Sequence, residues 1–354
     1  MNSATPESLQ NPKLPEAPYG AKLSWGRWIF LGVISLALCT FLPLVLFAPV
    51  PIVMAFLLFG RMKGIMLGIA TMIFLSVLSF KFQAAIATGG VYLMAFVYAV
   101  IIAEIIYRGI HPVIGLIKGG LAVIFALVLL GGLFSAISDV TFTGELEKVV
   151  ISYADQIKAQ QVEILSSSGE EGDMIRDFVS EPTKLVKEIV NWLPAALFVG
   201  VFIGIWASFF VVLRNTVVWI RFQNYQYTLK DLVDFKVPDY FIYPVILGLI
   251  LALTGEAIMG PIGPVIGGNL LYCIGIFYFF QGFGIFIEFI GQLKMARFIR
   301  TILIITGIFM AWRVIVLVGV FDVWVNFRRF FKNNNKNIDK EKNRNKNNDH
   351  EGEQ

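Results

Sequence analysis

Side chains able to do chemistry are sparse in this 354-residue chain. It has two histidines, His111 in a turn beside Pro112 and His350 near the last residue, and two cysteines, Cys39 and Cys273, both inside apolar runs. Metal-assisted or nucleophilic hydrolysis needs several such groups converging on one point, as in a His-based zinc site or a catalytic triad. Neither can be assembled, so no catalytic residue, metal site or cofactor is expected and the chain reads as a non-enzyme. The cysteines read as small apolar packing residues. A Gly-x-x-x-x-Gly-Lys-Ser/Thr phosphate loop is absent, so any ATP-driven step must draw on another subunit.

Ligand recognition asks for less: a few polar groups set among apolar ones. Glu256, Asn269 and Gln281 are the candidate substrate-binding residues, because each lies in or borders a long uncharged run. An ionisable group within hydrocarbon costs about 2.5–3.5 kcal/mol on insertion scales, so it faces a partner, a cavity or the interface. Asn269 and Gln281 either line a pocket or act as hydrogen-bond glue between helices, and Glu256 either faces that pocket or snorkels to the outer interface. If a helix starts near Asn269, Gln281 is 12 residues further on, about 18 Å deeper. Glu104 and Lys118 each stand seven residues from His111, at the centre of a turn, and an antiparallel hairpin would place them at similar depth. They are expected to form a structural ion pair. Glu288 is expected to pair with Lys294 or Arg297.

The elements that must position these groups belong to a membrane. Hydrophobic residues make up 57% of the chain and charged residues 15%, with a mean hydropathy of +0.73, more apolar than a soluble core requires. They come in uncharged runs near or above the roughly 20 residues that cross about 30 Å of hydrocarbon. Hydrophobic segments are expected near 28–46, 49–60, 64–80, 83–104, 113–137, 192–213, 240–257, 269–290 and 299–321. The fold class is therefore all-α, a polytopic transmembrane helix bundle of about eight to ten hydrophobic segments.

Pro43, Pro49 and Pro51 cannot all sit inside one regular helix, so the first uncharged run, 33 residues long, should break into two short arms. It is also too long for a signal-peptide core and is expected to be retained. A second break is Gly260–Gly268. Breaks of this kind either line transporter sites, where freed backbone groups face a cavity, or are ordinary tight connections. On the first reading the two breaks approach each other. The stripes Ala95, Ala99, Ala103 and Gly200, Gly204, Ser208 let helix backbones come close, and the alanine stripe is alternatively a docking surface for a partner protein.

Charge sets the expected orientation. With the N-terminus cytoplasmic, 13 basic residues collect inside and 6 outside, the sign required by the positive-inside rule. Residues 139–190 carry eleven acidic and five basic residues and are expected to form an external amphipathic helical hairpin, its second helix starting at Ser180-Glu181-Pro182. Nine spans would export the basic tail, so Thr301–Trp312 and Val314–Phe321, divided by Arg313, are read as a short hairpin or re-entrant pair. The organisation is then a disordered cytoplasmic segment 1–27, a transmembrane domain 28–327 containing the external insertion, and a disordered tail 328–354. Eight of the 29 basic residues follow Phe327, so the net charge of +4 is a tail effect and no nucleic-acid partner is expected.

Three stretches carry a resemblance: Asp234-Phe-Lys-Val-Pro-Asp-Tyr240, Asn269-Leu-Leu with Tyr278-Phe-Phe-Gln-Gly282, and Gly319-Val-Phe-Asp-Val-Trp-Val-Asn-Phe-Arg328. Together they resemble the YybS-like family of uncharacterised bacterial membrane proteins, over most of residues 28–328, with Asn326 departing from the acidic residue of the last motif. Pro49-x-Pro51, followed by Leu58-Phe-Gly-Arg61 and Gly64, is distantly similar to the S components of energy-coupling-factor transporters. S components dock through an alanine stripe on their first helix; here the stripe lies on the fourth segment, so that docking mode does not carry over. Locally, Pro238 ends an interfacial segment, Asp239 can cap the next helix, Tyr240 and Tyr243 fit an aromatic belt, and Trp324, Phe327, Arg328 and Arg329 an amphipathic anchor.

The resemblance implies an S-component-like subunit of the bacterial inner membrane that binds or takes up a small solute. Its partners would be the lipid bilayer, that solute and unidentified membrane subunits. The rival reading is a non-transporting scaffold or envelope assembly factor whose external hairpin and basic tail bind other proteins.

Overall fold

A computed structural model describes residues 24–79, 84–137, 144, 147–148, 150–152, 182–293 and 295–329. Among these residues every regular element is helical, and six helices are long and apolar enough to cross a membrane. A bent pair near the C-terminus makes a seventh if it counts as one span. The all-α polytopic bundle expected from composition is what the chain forms. Most of the external hairpin, residues 1–23 of the N-terminal segment and the tail beyond 329 lie outside the described residues.

The chain divides into two compact units, residues 1–119 with 204–232, and residues 120–203 with 233–354. In the first unit, helices α1 (Trp25–Thr40), α2 (Pro49–Phe59), α3 (Arg61–Ser79) and α4 (Ala84–Tyr107) pack together, and α5 (Pro112–Ile137) begins. The prolines act as expected: α1 stops before Pro43, a 3-10 turn covers Leu42–Phe47, and α2 starts at Pro49. Proline is tolerated in a first turn because the missing N–H has no intrahelical acceptor there.

At 11 residues α2 is too short to cross a membrane. It is apolar all round and correspondingly buried, with Ile52, Val53, Ala55 and Leu57 inaccessible. Side chains from neighbouring elements donate to carbonyls of its irregular approach and of its two ends. Ser35 Oγ donates to Ala48 O (2.9 Å), Ser208 Oγ to Leu46 O (2.6 Å) and Gln223 Nε2 to Leu57 O (2.8 Å), while the Tyr107 hydroxyl donates to Phe56 O. Backbone freed from helix within a membrane protein needs such partners, since hydrocarbon offers none.

The second unit contains the rest of α5, the first two thirds of α6 (Pro182–Arg214), and α7 (Ile242–Met259), α8 (Ile262–Gln292), α9 (Arg297–Met310) and α10 (Trp312–Val325). Helix α6 starts at Pro182 as anticipated, yet continues through the expected span as one helix with Pro194 inside it, merging an amphipathic helix with a membrane-crossing one. The stretch Gly260–Gly268 is a tight connection rather than a discontinuity. Only Gly260 leaves the helical region (φ +66), and α8 begins at Ile262, seven residues before Asn269. Pro261 and Pro264 fall at the N-cap and in the first turn, where they break no hydrogen bond. The glycines serve packing: a Cβ on Gly263 would strike the Gly255 backbone, and one on Gly267 the Leu251 and Ala252 backbones, so α7 and α8 touch almost main chain to main chain.

The terminal apolar segment divides into two helices, at a position one or two residues from the expected one. Two 14-residue helices, α9 and α10, meet at 88°, and the break falls at Ala311 so that Arg313 lies inside α10. Asn326 then ends α10 in the left-handed region (φ 50), a conformation asparagine accepts readily, which gives a backbone reason for Asn there.

Candidate functional site

The three motifs behind the resemblance converge in the second unit. Gln281 projects from the middle of α8 and is 0% exposed. Its Oε1 accepts from Val237 N (2.7 Å) and its Nε2 donates to Asp322 Oδ2 (2.8 Å). Asp322 accepts a second bond from Phe327 N (2.7 Å), closing the turn after α10. Arg328 follows from that turn, its side chain only 16% exposed. Its Nη2 donates to Val233 O (3.2 Å), Phe235 O (3.0 Å) and Gln281 O (3.4 Å), and its Nη1 stands 3.6 Å from Asp234 Oδ1. Helices α8 and α10 come close enough for this because Gly282 and Gly319 face each other: a Cβ on Gly282 would strike Ile315 O, and one on Gly319 would strike Tyr278 O.

This constellation clamps residues 233–237 onto α8 and α10. The expectation that Arg328 belongs to a surface anchor is corrected here, because guanidinium donors matched to loop carbonyls draw it inward. Asp239 is corrected too. It opens a 3-10 turn (Asp239–Phe241) with its carboxylate 3.9 Å from Lys236 Nζ and makes no cap, whereas Tyr240 and Tyr243 are exposed as a belt requires.

Asn269 bridges α8 and α6. Pro194 interrupts α6, and the Asn269 carboxamide stands between two groups that an unbroken helix would join directly, the carbonyl of Asn191 and the N–H of Ala195. Ala195 N donates to Asn269 Oδ1 (2.9 Å), and Asn269 Nδ2 donates to Asn191 O (2.8 Å) and Val265 O (2.8 Å). Of the two roles left open for Gln281 and Asn269, the geometry gives hydrogen-bond glue. Glu256 is exposed near the end of α7, so the three candidates form no common site.

The Glu104–Lys118 pair is not formed. Glu104 is held instead by Arg61 (3.1 Å) from the start of α3 and by Arg108 (2.9 Å) one turn along α4. The hairpin register explains this: Gly115 packs on Ile105 and Gly119 on Ile101, which centres the turn on Ile110 rather than His111. Lys118 is then off the contact face and exposed. Ala95, Ala99 and Ala103 are buried within the first unit, so their stripe is packing and not an open docking surface. The expected Glu288 pairing involves side chains outside the described residues.

One feature of the second unit escaped the sequence reading. A cavity of about 570 Å³ lies among Val199 and Ile203 of α6, Leu271, Tyr272, Gly275, Ile276 and Phe279 of α8, Ile308 of α9, and Trp312, Arg313 and Val316 of α10. Two local facts keep it open. Gly275 has no side chain, and a Cβ built there would meet nothing within 4 Å; the 88° bend at Ala311 turns α9 away from the line of α10. The walls are apolar apart from the Tyr272 hydroxyl and the Arg313 guanidinium, which lies over the Trp312 ring, 5.3 Å from its centroid. The signal in the sequence was Arg313 itself, a lone charge between apolar runs. Among the described residues no three His, Cys, Asp or Glu side chains gather in a metal-holding group.

No curated protein and no solved structure matches the chain. Residues 29–323 match the family model described as "Predicted membrane protein (DUF2232)", and with most of its length covered the chain belongs to that family of predicted membrane proteins.

Proposed function

We propose that the chain is a binding subunit for a small solute, held in the bacterial inner membrane with its N-terminus cytoplasmic and acting, like the S components it distantly resembles, with other membrane subunits. The cavity in the second unit carries this reading. Its volume of about 570 Å³ falls within the roughly 300–1,000 Å³ typical of small-molecule sites, and an apolar lining with one or two polar groups is the usual composition of such sites. Binding, rather than catalysis, suits a lining with no nucleophile and no paired acid and base.

Gly275 provides the test. Phenylalanine there has open space ahead of its Cβ, so Gly275→Phe should fill the cavity without disturbing the helix contacts. Native mass spectrometry of protein purified from its own membranes should show a small molecule on the wild type and none on the variant. An unliganded wild type, together with co-purifying proteins bound equally by both forms, would favour the scaffold reading.

A further inference from the structure

The cavity has one feature that a purely apolar solute would not need. Arg313 stands on its wall, in a helix whose neighbouring residues Val314, Ile315 and Val316 are aliphatic. A guanidinium stays charged at any pH a protein experiences. Within a membrane such a charge ordinarily has a carboxylate partner or faces water or a ligand. Among the described residues no carboxylate pairs with Arg313, and its contact is the face of the Trp312 ring. A cation–π contact leaves the in-plane N–H donors of the guanidinium unused, and those donors match the oxygens of a carboxylate or phosphate. Apart from the Tyr272 hydroxyl, the remaining wall, from Val199 and Ile203 to Ile276 and Phe279, offers only hydrocarbon contact.

We infer that the cavity takes an anionic amphiphile, with its oxyanion head on Arg313 and its aliphatic body along α6 and α8. The inference rests on the solute-binding reading above and narrows the class of solute. A free fatty acid and an anionic phospholipid share this chemistry: an oxyanion that accepts from the guanidinium, joined to a chain that replaces lipid contacts along the wall. A neutral sterol or a hydrophilic vitamin fits one half of the lining and not the other.

Trp312 is a built-in reporter. Quenching of its fluorescence, taken as the difference between wild type and Trp312→Phe, can be titrated with 6-bromododecanoic acid and with 6-bromododecan-1-ol, whose bromine stays near the head and hence near Trp312, in phosphatidylcholine nanodiscs. The acid should bind at least about tenfold more tightly than the alcohol, the factor expected of a hydrogen bond between charged groups. Arg313→Gln should remove that preference, and Arg313→Lys should keep part of it. Replacing some phosphatidylcholine with phosphatidylglycerol separates the sources: displacement of the acid identifies a bilayer phospholipid as occupant, and undiminished quenching identifies a free single-chain acid.

Equal binding of acid and alcohol to the wild type would overturn the inference without any variant having to fold, as would a preference that survives in Arg313→Gln. If Gly275→Phe abolishes both equal signals, the cavity still binds a solute and only the headgroup assignment is lost. If Gly275→Phe leaves both signals intact, the solute-binding reading itself fails.

Discussion

Replacing Gln281 with leucine removes a buried carboxamide while keeping a side chain that hydrocarbon tolerates. Two bonds are lost, one from Nε2 to the Asp322 carboxylate at 2.8 Å and one to Oε1 from Val237 N at 2.7 Å. A bond to a charged group contributes about 1.5–3 kcal/mol and a neutral one about 0.5–1.5 kcal/mol. Both former partners are left without that bond in a site that water does not reach, so about 3 kcal/mol is expected. That exceeds the roughly 0.6 kcal/mol average of interhelical hydrogen bonds in membrane proteins, because Gln281 joins a loop, a helix and a carboxylate at once. For a domain of this size about 3 kcal/mol lowers the melting temperature by roughly 6–12 °C. Thermal unfolding of the detergent-solubilised protein, followed by tryptophan fluorescence, measures the shift. A double-mutant cycle with Asp322→Ala should show strong non-additivity, as groups in one network do. A shift within about 2 °C of wild type, or additive losses in the cycle, would refute the clamp and return Gln281 to the role of a free amide.

Asn269→Leu should cost about 1–2 kcal/mol by the same assay, since the Pro194 ring keeps α6 from rejoining Asn191 O to Ala195 N. In a Pro194→Ala background α6 can close that bond itself, and the cost of Asn269→Leu should fall by at least half; an unchanged cost would mean that the carboxamide does not bridge the break. Glu104→Gln should lower stability by no more than about 1 kcal/mol, because the pairs with Arg61 and Arg108 are largely exposed, and Lys118→Gln should have no effect in melts of the same protein. Non-additive coupling between Glu104 and Lys118 would restore the pairing expected from the sequence. Asp231 accepts from Thr228 N (2.7 Å) and Thr228 Oγ1 (2.8 Å) at the start of the short helix Leu229–Val233, and the Thr228 backbone bond holds its carboxyl below the ordinary value. A depressed folded value means that this contribution is present above the unfolded pKa, near 3.8, and is lost as pH falls through the folded one. A pH titration of stability should therefore show a small loss below pH ~4 that Asp231→Ala abolishes, and identical acid profiles for the two proteins would exclude that role.

Much of the architecture is legible from short-range rules. Unbroken apolar runs can be satisfied only as helices in hydrocarbon, so the helical class and the approximate places of the hydrophobic segments follow from composition alone, whereas the six or seven helices long enough to cross among the described residues are fewer than the segments counted. The prolines at 43, 49 and 51 act through their own rings and so break the first run wherever the rest of the chain lies. Pro182 likewise marks a helix start from one residue's chemistry. The bend before Arg313 was legible for a similar reason, a charge that an apolar span cannot carry through without a special setting.

What each polar side chain meets was settled only in three dimensions. Gln281, Asp322 and Val237 are brought together across 85 residues of sequence by the Gly282–Gly319 contact, and nothing local to Gln281 distinguishes an amide in a clamp from one in a pocket. The same holds for Asn269, whose role depends on a proline 75 residues away in α6. The Glu104 partner turned on the centre of the turn: moving it by one residue moves the position facing Glu104 by two, from Lys118 to Leu116, which on a helix is a rotation of about 200°. The cavity is the extreme case. A void has no sequence of its own, and it exists because Gly275 leaves space and the bend at Ala311 leaves that space unfilled, a balance of packing that only the tertiary structure can strike.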